Sequence, residues 1–176
     1  MKRLIPAVAA LVLAGVCVAS FSSAATTGTA TVTLAAQATA MVQILDPAVT
    51  LTPNATDYDN DYVEITGASG LRVRVKTNCT TGMGLLVRCD DATPQIALAD
   101  LLVRTQTPAG GAGSTMSSYN AITAVDQALW STTVAAHAWT TVTTDVRVQN
   151  LFAYDDAGSA GTTAYTNTLT YTVVVQ

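Results

Sequence analysis

The chain has 176 residues, 49% of them hydrophobic and only 11% charged, against roughly a quarter in an average soluble domain. Eight Lys and Arg face twelve Asp and Glu, a formal net charge of −4. That balance argues against partnership with nucleic acid or with an anionic membrane surface.

The first residues read as a targeting segment. Lys2 and Arg3 give a positive start, residues 4–20 are largely apolar, and Ser22, Ser23, Ala24 and Ala25 supply small residues for cleavage. The short apolar run followed at once by that site fits a signal peptide over residues 1–24 rather than a membrane anchor. Cys17 lacks the large aliphatic and small neighbours that a lipoprotein site wants. The mature chain of about 150 residues suits one domain.

Residues 28–44, GTATVTLAAQATAMVQI, organise the rest. Ala30, Val32, Leu34, Ala36, Ala38, Ala40, Val42 and Ile44 alternate with mostly polar or small residues. Strand side chains alternate between faces, so one face of this stretch is apolar. Extended, it reaches roughly 50 Å, several times an ordinary strand. Either it bends within one domain, or its first half leaves the domain and pairs with another subunit.

Asp46-Pro47 marks a turn, and residues 48–52 form a short strand candidate. Asp57, Asp59, Asp61 and Glu64 follow at close spacing. Such spacing can line a calcium loop, but Tyr62 stands where the usual glycine belongs, so a solvated acidic turn is favoured. Val63 and Ile65 start a strand that residues 67–70 end.

Residues 71–89 read as a hairpin. Leu71, Val73 and Val75 alternate with Arg72, Arg74 and Lys76, the turn falls near Gly82 and Gly84, and Leu85, Val87 and Cys89 return on the inward parity. The basic stripe reads as a solvated face that discourages edge pairing. With the turn near Gly84, Cys79 and Cys89 face each other on the core side. An even cysteine count in a secreted chain then predicts one disulfide, closing a loop of about ten residues.

The apolar run 95–104 fits a short helix or a strand, with a strand favoured over residues 101–106, and residues 119–124 form a short strand candidate. The glycine- and serine-rich stretch 107–118 reads as a long surface loop. Residues 139–150 form a strand pair or one bent strand with Val142, Val146 and Val148 inward, and Asn150 suggests a bulge before Leu151. Residues 155–161 form a turn. The closing stretch, YTNTLTYTVVVQ, puts Tyr165, Leu169, Tyr171, Val173 and Val175 on one parity. The sum is seven to nine strands in an all-β antiparallel sandwich.

Two alternating stretches at the two ends of the mature chain, GTATVTLAAQATAMVQI and YTNTLTYTVVVQ, resemble the subunits of chaperone-assembled pili. The resemblance implies an incomplete immunoglobulin-like sandwich, residues 41–176, preceded by an N-terminal donor-strand extension, residues 25–40. Val32, Leu34, Ala36 and Ala38 would fill pockets in a neighbour, and Leu169, Tyr171, Val173 and Val175 would form the terminal strand. It also implies a homopolymer on the cell surface, a periplasmic chaperone and an outer-membrane assembly machinery as partners, and no membrane contact in the mature form. The chain departs from the family in placing both cysteines between residues 79 and 89 and in lacking a tyrosine next to its C-terminus.

Catalysis has little support. His137 is the only histidine, and no GxSxG or HExxH pattern accompanies it. Asp90-Asp91 and Asp155-Asp156 are adjacent pairs whose carboxylates point apart in a strand. No enzyme, cofactor or metal is expected. The competing expectation is a secreted carbohydrate-binding or adhesive sandwich, stacking sugars on Tyr58, Tyr62, Tyr119, Trp130 or Trp139, with calcium in the acidic loop.

Overall fold

The computed structural model describes residues 30–106, 113–155 and 164–176. The expected signal peptide, the first half of the glycine-rich loop (residues 107–112) and the turn after Asp155 lie outside these residues. The chain divides into two units, Met1–Ala36 and Gln37–Gln176. The described part of the first, residues 30–36, has no regular secondary structure and is exposed throughout.

The second unit is an antiparallel β-sandwich. Its strands are β1 (Ala40–Ile44), β2 (Tyr62–Ile65), β3 (Leu71–Thr77), β4 (Met83–Cys89), β5 (Leu101–Thr105), β6 (Ser114–Thr115), β7 (Asn120–Ala121), β8 (Gln127–Thr132), β9 (Ala136–Gln149) and β10 (Leu169–Val175). The first sheet runs β1-β3-β9-β5-β7, and the second runs β10-β4-β8-β6. β2 pairs with the last residues of β9 and β3 with the earlier ones, so the two lie end to end along one long strand. Val73, Val75, Val103, Val142 and Val146 of the first sheet meet Met83, Leu85, Val87, Leu129 and Trp130 of the second, all 2% exposed or less.

The alternation in residues 71–89 places the side chains as expected, with Val73, Val75, Leu85, Val87 and Cys89 buried. The hairpin does not form. β3 belongs to the first sheet and β4 to the second, so the chain crosses between layers at residues 78–82. Periodicity assigns a face to each residue but names no partner strand. Gly82 makes the crossing possible: it has φ +96°, and a Cβ there would lie 1.8 Å from the Thr132 carbonyl oxygen.

This corrects the disulfide. Cys79 and Cys89 are both free and buried. The Cys79 thiol donates to the Gln176 carbonyl at 3.4 Å, at the end where Met83 pairs with Val175, whereas Cys89 pairs with Leu169 at the other end. Six strand residues separate those ends, about 20 Å, whereas a disulfide needs Cα atoms within about 7 Å.

Other expectations move locally. Residues 48–52 form no strand. The acidic segment is a short helix, α1 (Ala55–Asn60), capped by the Asn54 side chain, with Asp57 closing the capping box. Residues 127–132, whose small and polar residues gave no strand signal, form β8 against β4. Asn150 adopts φ 56° and ends β9, and Leu151–Ala153 is a 3-10 turn rather than a continuation past a bulge.

Candidate functional site

The two flanks of the sandwich differ. One is closed by residues 114–123. The Met116 amide donates to the Leu129 carbonyl of the second sheet at 2.9 Å, and the Met116 carbonyl accepts from the Thr105 amide of the first at 2.7 Å. Ile122 is buried behind this seam, and its amide donates to the Leu101 carbonyl. The edge strands here, β6 and β7, have two residues each.

The opposite flank carries β1 and β10, which lie next to each other at the edges of their sheets. Among the described residues no backbone hydrogen bond joins them. β10 pairs with β4 without interruption over seven residues, and its other edge is unpaired. It contains no charge, proline or bulge, the devices that usually block further pairing at an edge. Ala40 and Val42 of β1 and Leu169, Tyr171 and Val173 of β10 pack on the core while only partly buried. Ile44 and Val175, at opposite ends of the flank, are 43% and 45% exposed.

Tyr171 adds a polar defect under this flank. Its hydroxyl lies beside that of Thr144, but neither finds a well-aligned hydrogen-bond partner. Burial pushes the phenol up to about 12. A buried hydroxyl left unpaired costs about 1–3 kcal/mol, so the core is poorly satisfied where the sandwich is open.

The four predicted donor residues are all exposed. Val32 and Leu34 are 93% and 88% exposed, and Ala36 and Ala38 are exposed as well. Regular pairing begins only at Ala40. Asn78, which sequence reasoning passed over, holds the preceding residues. Its side-chain oxygen accepts from the Thr39 amide at 2.7 Å, its amide nitrogen donates to the Gln37 carbonyl at 2.8 Å, and its backbone N–H donates to the Thr39 carbonyl. The signal was available in kind: an asparagine just past a strand end often bonds neighbouring backbone.

The outer face of the first sheet holds a second group of side chains that the sequence did not bring together. Asp145 is fully buried there and accepts from the Gly67 amide at 2.9 Å, Arg104 Nε at 2.8 Å and Gln106 Nε2 at 3.0 Å. Beside it Glu64 accepts from Arg147 Nη2 at 2.6 Å and from the Tyr119 hydroxyl at 2.9 Å. Partial burial raises the Glu64 carboxyl, but the bonds from Arg147 and Tyr119 outweigh that and hold it below its ordinary range. Burial and the Glu64 carboxylate push the Tyr119 phenol up to about 12. Arg104 and Arg147 stack on Tyr119 at 4.5 and 4.1 Å. Every cation of this group has its own carboxylate, which describes a structural clasp.

The other candidates do not converge. His137 is exposed near the start of β9. Asp90 pairs with Arg88, while Asp91 accepts from the Thr168 amide. Asp57 is committed to the helix cap, and among the described residues no three His, Cys, Asp or Glu side chains gather to hold a metal. Trp130 is core, and Trp139 is half-buried on the outer face of the first sheet. Among the described residues no helix is long and apolar enough to cross a membrane. Comparison with family models, with curated proteins and with solved structures found no match to this chain.

Proposed function

We propose that the protein is a secreted structural subunit of a cell-surface filament, with no chemistry of its own, that polymerises by strand donation. Residues 25–36 of one copy add to the open flank of the next, completing an immunoglobulin-like sandwich that lacks its closing strand. The expected extension, residues 25–40, is shortened because Asn78 bonds Gln37 and Thr39 and Ala40 pairs with Thr77 within their own domain. A periplasmic chaperone would shield the flank in transit, and an outer-membrane machinery would catalyse the exchange.

The observation that carries this reading is the unpaired, uncharged edge of β10 beside β1, with apolar core side chains only partly covered between them. An added strand would bond to the free backbone groups of that edge while alternate side chains covered the core. Residues 30–36, with Val32 and Leu34 exposed on one parity, supply a segment of that pattern. Such a contact is head-to-tail and does not close on itself, so it propagates as a fibre.

Deletion of residues 26–38 tests it. Heat- and detergent-resistant polymers should vanish while the remaining domain still folds. A synthetic peptide of residues 26–38 should then bind the truncated domain and raise its unfolding midpoint. Polymers that persist, or a truncated chain that is unfolded, would overturn the assignment.

A further inference from the structure

The six basic residues of the sandwich are unevenly placed. Arg88 lies on the second sheet, and Arg72, Arg74, Lys76, Arg104 and Arg147 all lie on the outer face of the first. Four of the six are neutralised at short range: Arg72 by Asp46 at 2.7 Å, Arg88 by Asp90 at 3.0 Å, Arg104 by Asp145 at 2.8 Å and Arg147 by Glu64 at 2.6 Å. Arg74 and Lys76 are the exceptions. Among the described residues neither has a carboxylate within 4.0 Å, although acidic residues outnumber basic ones in the chain.

These two cations are also held together. They sit two apart on β3, hence on one face and roughly 7 Å from each other along the strand. Both lie over the Trp139 ring, the guanidinium at 4.7 Å and the ammonium at 4.6 Å from its centroid. Arg74 Nε and Nη2 also donate to the neutral Gln43 Oε1 at 2.9 and 2.7 Å. Gln43, Arg74 and Thr141 form one row across three strands, and Met41, 48% exposed, is paired with Lys76. Two like charges side by side repel. An indole that attracts both fixes their position without neutralising them.

We propose that Arg74, Lys76 and Trp139 form a binding site for an acidic polysaccharide, one carrying carboxylate or sulfate groups at intervals along a largely neutral chain. The site takes one anionic group between two prepositioned cations, so little side-chain entropy is lost on binding. Met41 gives the sugar ring apolar surface, and Thr141, in the row of Arg74, offers it a hydroxyl. The charge pattern selects this ligand over nucleic acid. A duplex carries a charge about every 1.7 Å and needs a line of cations along its backbone. Here the neighbouring Arg72, Arg104 and Arg147 are already neutralised, and the chain as a whole is acidic. A sparse polyanion meets the one unneutralised point with less repulsion elsewhere. The site lies on the outer face of the first sheet, whose edge strand β1 also borders the open flank, and it does not depend on strand donation.

The test is calorimetric titration of the full mature chain with oligogalacturonate and with chondroitin sulfate oligosaccharides at two salt concentrations, with maltooligosaccharides as the neutral probe. Binding of either acidic probe, weakening with salt, is expected. The doubly substituted Arg74→Gln/Lys76→Gln chain, its fold checked by its unfolding midpoint, should bind at least tenfold more weakly. Trp139→Phe should lose less, because it keeps a ring beneath the cations. Failure of both acidic probes to bind would overturn the proposal. So would equal binding of the neutral probe, unchanged affinity in the double variant, or tighter binding of a single-stranded oligonucleotide. Salt-sensitive self-association lost on Asp57→Asn/Asp59→Asn substitution, without glycan binding, would instead assign the two cations to a second copy of the chain and overturn it too.

Discussion

Replacing Leu34 by aspartate separates what the single chain needs from what a polymer needs. Leu34 is 88% exposed, so within one copy the substitution removes almost no buried surface. Domain stability should change by no more than about 0.5 kcal/mol, the usual range for such a site. In a donated strand the same side chain would be covered. Burying a leucine contributes about 1.5–3 kcal/mol, and a carboxylate in its place adds a desolvation cost of about 2 kcal/mol or more. Taken together, a loss near 4 kcal/mol weakens each subunit contact about a thousandfold; the lost burial alone gives about thirtyfold. Thr33→Asp, on the opposite parity, is the matched control and should leave assembly nearly intact. Urea unfolding reports the first quantity, and detergent-resistant ladders with sedimentation report the second. The reasoning fails if Leu34→Asp polymerises within a few-fold of the parent, if Thr33→Asp is equally damaging, or if Leu34→Asp destabilises the isolated domain by more than about 1.5 kcal/mol.

Asp145→Ala should destabilise the domain by about 2–3 kcal/mol in urea unfolding. It leaves the Gly67 amide without its acceptor, while Arg104 and Gln106 can turn partly to water; Asp145→Asn, which keeps one acceptor oxygen, should cost about half as much. Tyr171→Phe removes a buried hydroxyl without a well-aligned partner, so stability should stay level or rise by up to about 1 kcal/mol, and a loss above that would mean the hydroxyl is bonded in solution. The Glu64 carboxyl titrates below its ordinary value in the fold, so its contribution is complete above the unfolded-state value near 4.5 and is lost as pH falls through the depressed one; in acid titrations followed by circular dichroism, Glu64→Gln should flatten that part of the loss. Thiol titration of the denatured mature chain should find two free thiols, and reducing agent should not shift the unfolding midpoint.

Much of the fold was legible because alternation reports burial directly. Leu71, Val73 and Val75, Leu85 and Val87, and Val142, Val146 and Val148 all turn inward as their spacing says, with Leu71 only partly covered. The partner of each strand was not legible. The step from β3 to β4 looks like a hairpin turn in one dimension, yet it passes between layers, and that error alone produced the expected disulfide. β8 escaped notice because Leu129 and Trp130, both buried at a register shift, break the alternation. The Asp145 clasp was invisible for a related reason. It depends on Arg104 standing opposite Asp145, forty-one residues away, and on Gly67 closing over both. The exposure of residues 30–39 was one of two alternatives that the length of the opening stretch left open, since a strand of that reach can also bend within one domain.

The one-sided seam at Met116 has a dynamic consequence. A sandwich tied along one long side only will gape from the other, as a book opens away from its spine. Opening motions in the native state should therefore be graded across the molecule. Amide protons of β10 and β1 should exchange with solvent deuterium through small, frequent excursions, whereas those of β5 and β8 should wait for near-complete unfolding. A strand laid along the open margin would abolish that gradient, so exchange rates at β10 give a direct measure of how many copies in a preparation have their margin filled.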